Sequence, residues 1–301
     1  AASASQLVLA RCLLQSFDGS AGGGEADRPA PFPGVEMPTG LSAQDEGQLR
    51  SSLARLPSAF VGGAGGTVPR YFAVDDFLPG ALSSALQSEL PEQELCALLA
   101  QCATGTMACS LDPGSPKEFM VFTGEVPARP AVEAVSRIMR SEGLLAKLSA
   151  ITGHELRVHR ERGTYTQYQA PGFLGLHEDV ATASETAGNR VPFLDRRLFR
   201  VNALLFLGGS QEGHLDLWEM EPRSRTPRKP VARIAPRPNR LVIFETLGSI
   251  HGIPWPLLAN GSRRVMQWYY VEVGAEPVVS IDFHELPCAD RDCYDGNVAQ
   301  L

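Results

Sequence analysis

Tyr168-Gln-Ala-Pro-Gly-Phe-Leu-Gly-Leu-His177-Glu178-Asp179 ends a segment of aromatic and aliphatic residues with an imidazole and a carboxylate two positions apart. In an extended strand, residues two apart share a face, so His177 and Asp179 stand side by side while Glu178 points away. Pro171-Gly172 reads as a turn that sets this pair at a sheet edge.

Outward from this stretch, the period is strand-like from about Glu155 onward. Leu156 to His159, Thr164 to Gln169, Phe199 to Leu207, His214 to Glu219, Val231 to Ile234, Leu241 to Phe244 and Val265 to Val273 are short runs rich in β-branched and aromatic residues. Gly, Pro or charged clusters separate them. Upstream, Tyr71 to Val74 reads as a strand and Asp75 to Pro79 as the turn after it. Helices are predicted over Ala81 to Leu90, Gln93 to Cys102, Pro130 to Arg140 and Ser141 to Thr152, the last ending at Gly153. A helical front half followed by many short strands predicts an α+β fold, with helices packed on a β-sandwich or jelly roll.

The chain divides accordingly. Residues 1–67 carry Gly22-Gly23-Gly24, Pro29-Ala30-Pro31-Phe32-Pro33 and Gly62-Gly63-Ala64-Gly65-Gly66, with little apolar surface to repay ordering, and are expected to form a flexible extension. A short helix around Ser42 to Leu56 interrupts it. The chain opens on Ala-Ala-Ser, and the apolar run Gln6 to Gln15 reads as a short helix in preference to the remnant of a targeting segment. Residues 68–154 form a helical support, 155–275 a β-rich core, and 276–301 a tail.

Apolar residues at 44% and charged residues at 20% suit a soluble chain with a real core. Against 27 basic residues stand 34 acidic ones, and a net charge of −7 does not favour nucleic acid as a partner. No run of 18 apolar residues exists, so no membrane span is expected; a cytoplasmic or organellar location fits, and the compartment and oligomeric state stay open. None of the six cysteines forms a CxxC pair, which argues against structural zinc. Their irregular spacing in a chain this large calls for no disulfide framework, Cys288 and Cys293 being the one close pair.

A third ligand comes from Leu241-Val-Ile-Phe-Glu-Thr-Leu-Gly-Ser-Ile-His251, where a buried strand leads into a loop carrying His251. Its separation from His177, 251 − 177 = 74 residues, leaves room for several intervening strands. His177, Asp179 and His251 then make a set of two imidazoles and one carboxylate, which suits Fe(II) because it leaves coordination positions open. His214-Leu215-Asp216 is a rival triplet, but alternation with Leu217 puts its polar residues on the outer face of a half-buried strand. His154, His159 and His284 are read as packing or surface residues. The basic run from Arg223 to Arg240 is read as a solvated hairpin connection, with an acidic-peptide groove as the alternative.

In chain order stand Tyr168, Gly172-Phe173-Leu174, His177 and Asp179, Arg200-Val-Asn-Ala-Leu-Leu-Phe-Leu207, Gly213-His-Leu-Asp-Leu217, Pro238-Asn-Arg-Leu-Val-Ile-Phe244, His251, and Arg263-Arg264 leading to Trp268-Tyr269-Tyr270. Phe72-Ala-Val-Asp-Asp-Phe-Leu-Pro79 and Leu144-Leu-Ala-Lys-Leu-Ser-Ala-Ile-Thr-Gly153 precede them. This series, from about Tyr71 to Val273, resembles the 2-oxoglutarate- and Fe(II)-dependent dioxygenase superfamily, in its prolyl-hydroxylase-like branch. Glu212-Gly213 departs from the branch's Gly-Gly pair, and its arginine stands 12 or 13 residues after His251, slightly far.

The resemblance implies a double-stranded β-helix (jelly roll) core with supporting N-terminal helices. It implies Fe(II) on His177, Asp179 and His251, with 2-oxoglutarate and O2 as co-substrates, succinate and CO2 as products, and ascorbate as a reductant. No catalytic side chain is implied beyond the metal ligands. Arg263, at the Gly-x-Arg position, would hold the far carboxylate of 2-oxoglutarate; Arg264 is the alternative, because alternation puts it on one face with Trp268. Tyr168 would hydrogen-bond the co-substrate or close its pocket. Since Asp179 is retained, hydroxylation is favoured over halogenation. The implied substrate is a prolyl residue in a peptide or protein; a free amino acid or other small metabolite is the alternative, and a non-catalytic jelly-roll binding protein the third reading.

Overall fold

Short strands, each too narrow to bury a face alone, pair into one curled antiparallel sheet. In chain order the elements are β1 (Tyr71–Val74), α1 (Gly80–Glu89), α2 (Leu95–Ala103), β2 (Met107–Ser110), β3 (Glu118–Glu125), α3 (Pro130–Met139), α4 (Glu142–Thr152), β4 (Leu156–Val158), β5 (Thr164–His177), β6 (Phe199–Gly209), β7 (Leu215–Met220), β8 (Pro227–Ile234), β9 (Leu241–Glu245), β10 (Ile250–Ile253) and β11 (Ser262–Glu272). The computed structural model describes residues 51–62, 68–111, 118–177, 179, 199–209, 213–220, 227–246, 249–253 and 261–274. Cys12, His284, Cys288, Cys293, most of the N-terminal extension and the C-terminal tail lie outside them. Residues 51–62 supply Leu56 and Phe60 to the core, and Val61 bridges to Tyr71.

The strand order is β1-β9-β6-β11-β5-β10-β7-β8, with β3 also on β5, β2 on β3 and β4 on β11. Strand β5 turns this ribbon into a jelly roll, because it serves two neighbours in succession. Thr164 to Gln169 pair with β11, whereas Leu174 and His177 pair with β10. The predicted Pro171-Gly172 turn is therefore corrected: both residues lie within one continuous strand, at the place where it passes from one partner to the next. Proline has no N–H to lose from a ladder there. A Cβ on Gly172 would stand 2.5 Å from the Phe119 carbonyl oxygen and 2.7 Å from that of Gln169, so only glycine lets the chains approach this closely.

Alternation along β11 sorts its side chains into two layers. Met266, Trp268 and Tyr270 face the helices and join a core with Leu86, Leu98, Val132, Val135 and Leu148, and the Tyr270 hydroxyl donates to the Met139 carbonyl at 2.7 Å. Val265 and Arg263 face the other way, Val265 into a second core with Tyr168, Phe206, Leu217 and Phe244 inside the roll. The predicted helices stand close to their expected bounds. Ser141 caps α4, its hydroxyl accepting from Leu144 N, and Gly153 ends it in the left-handed region at φ 76°. Helix α3 has Pro130 in its first turn and the Glu89 carboxylate of α1 on its N-terminus, accepting from Ala131 N at 2.9 Å and Val132 N at 3.0 Å. Removing this cap in Glu89→Ala is expected to cost about 1–2 kcal/mol of stability, read as a lowered Tm with metal affinity unchanged.

Three features escaped prediction. Strands β2 and β3 form in a stretch for which no element was expected, although Phe119-Met-Val-Phe122 has strand character. His251 lies in strand β10 and not in a loop, its Ile-His-Gly-Ile being too short to show a period. Cys102 and Cys109 form a disulfide with Cα atoms 5.8 Å apart, and Cys96 is bridged as well. The expectation that no disulfide was needed fails because α2 runs into β2 within a few residues and brings the first two together. No helix among the described residues is long and apolar enough to cross a membrane.

Candidate metal centre

Strand pairing brings the distant histidines together. His251 of β10 is the direct cross-strand partner of His177 at the end of β5, so the two rings share a face with centroids 4.2 Å apart. The Nδ1 of each ring meets the backbone carbonyl two residues earlier, at 2.9 Å from Gly175 O and 3.0 Å from Ser249 O. A carbonyl only accepts, so each Nδ1 carries the hydrogen and each Nε2 is left with a lone pair. Asp179, just beyond β5, places Oδ1 3.3 Å from His177 Nε2 and Oδ2 3.4 Å from His251 Nε2. Burial alone would push its carboxyl upward, and the His251 and His177 imidazoles, when protonated, hold it well below the usual carboxylate range. Phe244 packs against His251 at a centroid distance of 4.7 Å, and both rings are almost fully buried.

Donor atoms of these three residues all lie within 4.8 Å of one another, and they are the metal-capable group found among the described residues. Ligands at right angles around a first-row metal, each ~2.1 Å away, stand ~3 Å apart. The two closest separations fit that geometry, and the imidazole and carboxylate donors suit a divalent ion. Lone pairs turned toward a common point repel one another until a cation occupies it.

The rival triplet is engaged elsewhere. Asp216 pairs with Gly252 across β7 and β10, on the face opposite Leu217 and His251. Both Arg233 bonds to its carboxylate, from Nε and Nη2, are 3.1 Å. The expectation of a solvated polar face is corrected at this residue: Asp216 is 0% exposed, and burial, opposed by Arg233, pushes its carboxyl upward. The described residues of the basic run share three carboxylates. Arg228 and Lys229 stand near Glu219, and Arg237 and Arg240 pair with Asp75, while Arg223 and Arg225 lie outside the described residues.

Arg263 and Arg264 point to opposite layers. Arg264 shares its face with Trp268, as alternation predicts, but that face packs on the helices, and its Nη1 donates to Leu90 O at 2.7 Å, where α1 ends. Arg263 is 1% exposed inside the roll, its guanidinium 4.7 Å from the ring centroid of Tyr168 and 4.9 Å from that of Phe206. Its Nε and Nη1 have no hydrogen-bond partner among the described residues. Desolvation lowers its pKa, with Tyr168 acting in the other direction.

Asn202 was not among the sequence candidates. It is 1% exposed on β6, and its Nδ2 donates to Asp179 Oδ2 at 2.6 Å. The signal for it was a lone amide inside the apolar run Val201 to Leu207.

No protein-family model matches the chain, and no curated protein does. Among solved structures it is similar to prolyl hydroxylases and 2OG-Fe(II) oxygenases. A Pseudomonas putida prolyl-4-hydroxylase is 15% identical, with a TM-score of 0.44 over 75% of this chain and 100% of that one. A 2OG-Fe(II) oxygenase family oxidoreductase from Burkholderia pseudomallei is 14% identical, TM-score 0.45, over 76% and 93%. HygX from Streptomyces hygroscopicus, solved with nickel and 2-oxoglutarate bound, is 14% identical, TM-score 0.45, over 69% and 84%. Values this low carry no argument of their own, and the chemistry rests on the side chains described above.

Proposed function

We propose that this chain is an Fe(II)- and 2-oxoglutarate-dependent dioxygenase that hydroxylates a prolyl residue in a peptide or protein. The observation that carries it is the pairing of two unsatisfied sites inside one roll: three metal donors within 4.8 Å of one another, and a buried cation, Arg263, with no anionic partner among the described residues. Burying a charge is costly unless a partner completes it. A dicarboxylate spanning metal and guanidinium would complete both.

Fe(II), when bound, supplies the redox chemistry by which O2 and 2-oxoglutarate convert a substrate C–H to C–OH, with succinate and CO2 as the other products. His177 and His251 hold the metal through Nε2 and Asp179 through its carboxylate. Arg263 pairs with the far carboxylate of 2-oxoglutarate, which its planar fork suits, and the Tyr168 ring keeps that fork in place. Phe206, Leu217, Phe244 and Val265 exclude water around them. Ascorbate would serve only to keep the iron reduced.

The prolyl substrate rests on the order of motifs from Tyr168 to Tyr270. Succinate formation from 2-oxoglutarate, with and without Fe(II), tests the proposal on proline-containing peptides against free amino acids and small metabolites. Iron-dependent succinate release stimulated by a proline peptide, with mass gain of one oxygen on that peptide, is the expected result. Turnover on small molecules alone would reassign the substrate, and no iron-dependent succinate under any condition would leave a binding protein.

A further inference from the structure

His177 and His251 sit on paired strands, which orient their rings, whereas Asp179 lies beyond the end of β5, outside the ladders among the described residues. Its carboxylate has to be aimed by something else. Asn202, on β6, reaches it. Asn202 Nδ2 donates to Asp179 Oδ2 at 2.6 Å.

The orientation of the Asn202 amide is informative. An ionised carboxylate only accepts, so the nitrogen end must face Asp179. The oxygen end, Oδ1, is then buried without a hydrogen-bond partner among the described residues. An amide kept for the stability of the fold would be satisfied at both ends. This one is satisfied only where it meets the candidate ligand.

We infer that Asn202 is a positioning residue that clamps the Asp179 carboxylate, so that its orientation is set before a metal ion arrives. The inference rests on the metal-centre reading given above. Clamping the carboxylate lowers the cost of organising the third ligand, and partners of this kind are worth 10- to 100-fold in metal affinity, on the order seen when a ligand loses its supporting hydrogen bond.

Mn(II) titration of the full chain tests this, read both as affinity and as the rise in Tm over each variant's own metal-free value. Asn202→Leu is expected to weaken Mn(II) binding ~10- to 100-fold, beyond whatever change in metal-free Tm the lost hydrogen bond brings. Asn202→Ala, which removes the amide without adding bulk, is expected to weaken binding by a similar factor and gives a second reading if the leucine variant folds poorly. The visible spectrum of the Co(II)-loaded protein should shift in both variants, and a merely structural role would not move it. Variants that bind Mn(II) as tightly as the parent overturn the clamp and leave the metal centre standing. A parent protein that binds no Mn(II) overturns the metal centre itself, and the clamp with it.

Discussion

Asp179→Ala is expected to abolish divalent-metal binding and Fe(II)-dependent succinate formation together. The side chain contributes the one anionic donor of the group, and without it two neutral imidazoles face the ion alone. Loss of an outer partner costs 10- to 100-fold, so loss of the ligand itself should exceed about 100-fold in metal affinity. His177→Ala should behave alike. The decisive control is His214→Ala. Its neighbour Asp216 is held by Arg233 on the opposite face of β7, so this variant should keep both metal binding and turnover. Isothermal titration with Mn(II) and a succinate assay check the pair. A dead His214→Ala beside an active Asp179→Ala would overturn the ligand assignment.

Arg263→Met is expected to separate stability from function. Methionine fills a similar volume among Tyr168 and Phe206 and removes a buried cation with two donors that have no partner among the described residues. The ligand-free protein should therefore gain stability, since uncompensated buried charge is unfavourable and residues kept for binding often cost the fold. Its KM for 2-oxoglutarate should rise ~10- to 150-fold, the equivalent of the ~1.5–3 kcal/mol carried by hydrogen bonds to a charged group. Mn(II) affinity without co-substrate should not change. Arg264→Met is the contrasting variant: its loss uncaps the end of α1 and should lower Tm without moving that KM. Thermal melts with and without 2-oxoglutarate, beside steady-state kinetics, check both halves. A raised KM in Arg264→Met alone would move the co-substrate to the other layer.

Local pattern carried much of this protein. Helices α1 to α4 and most strands lie where periodicity and caps put them, because those signals arise from neighbours a few residues apart. The side-by-side placement of His177 and Asp179 was legible for the same reason. Elements without a full period were not. Strand β10 has four residues, and Pro171-Gly172 looks like a turn until β5 is seen to change partners across it.

What alternation could say about Arg263 and Arg264 was that they occupy opposite faces; which of them lies inside the roll was decided by packing. Trp268 and Tyr270 insert among the helices and leave Arg263 inside the roll. In the same way, His251 meets His177 only because β10 pairs with β5, Asp216 is buried only because β8 brings Arg233, and Asn202 reaches Asp179 only across the curl of the sheet. Side-chain direction along a strand is a property of the chain. Register and layer belong to contacts between segments tens of residues apart, and the free energy of burying both cores chooses them.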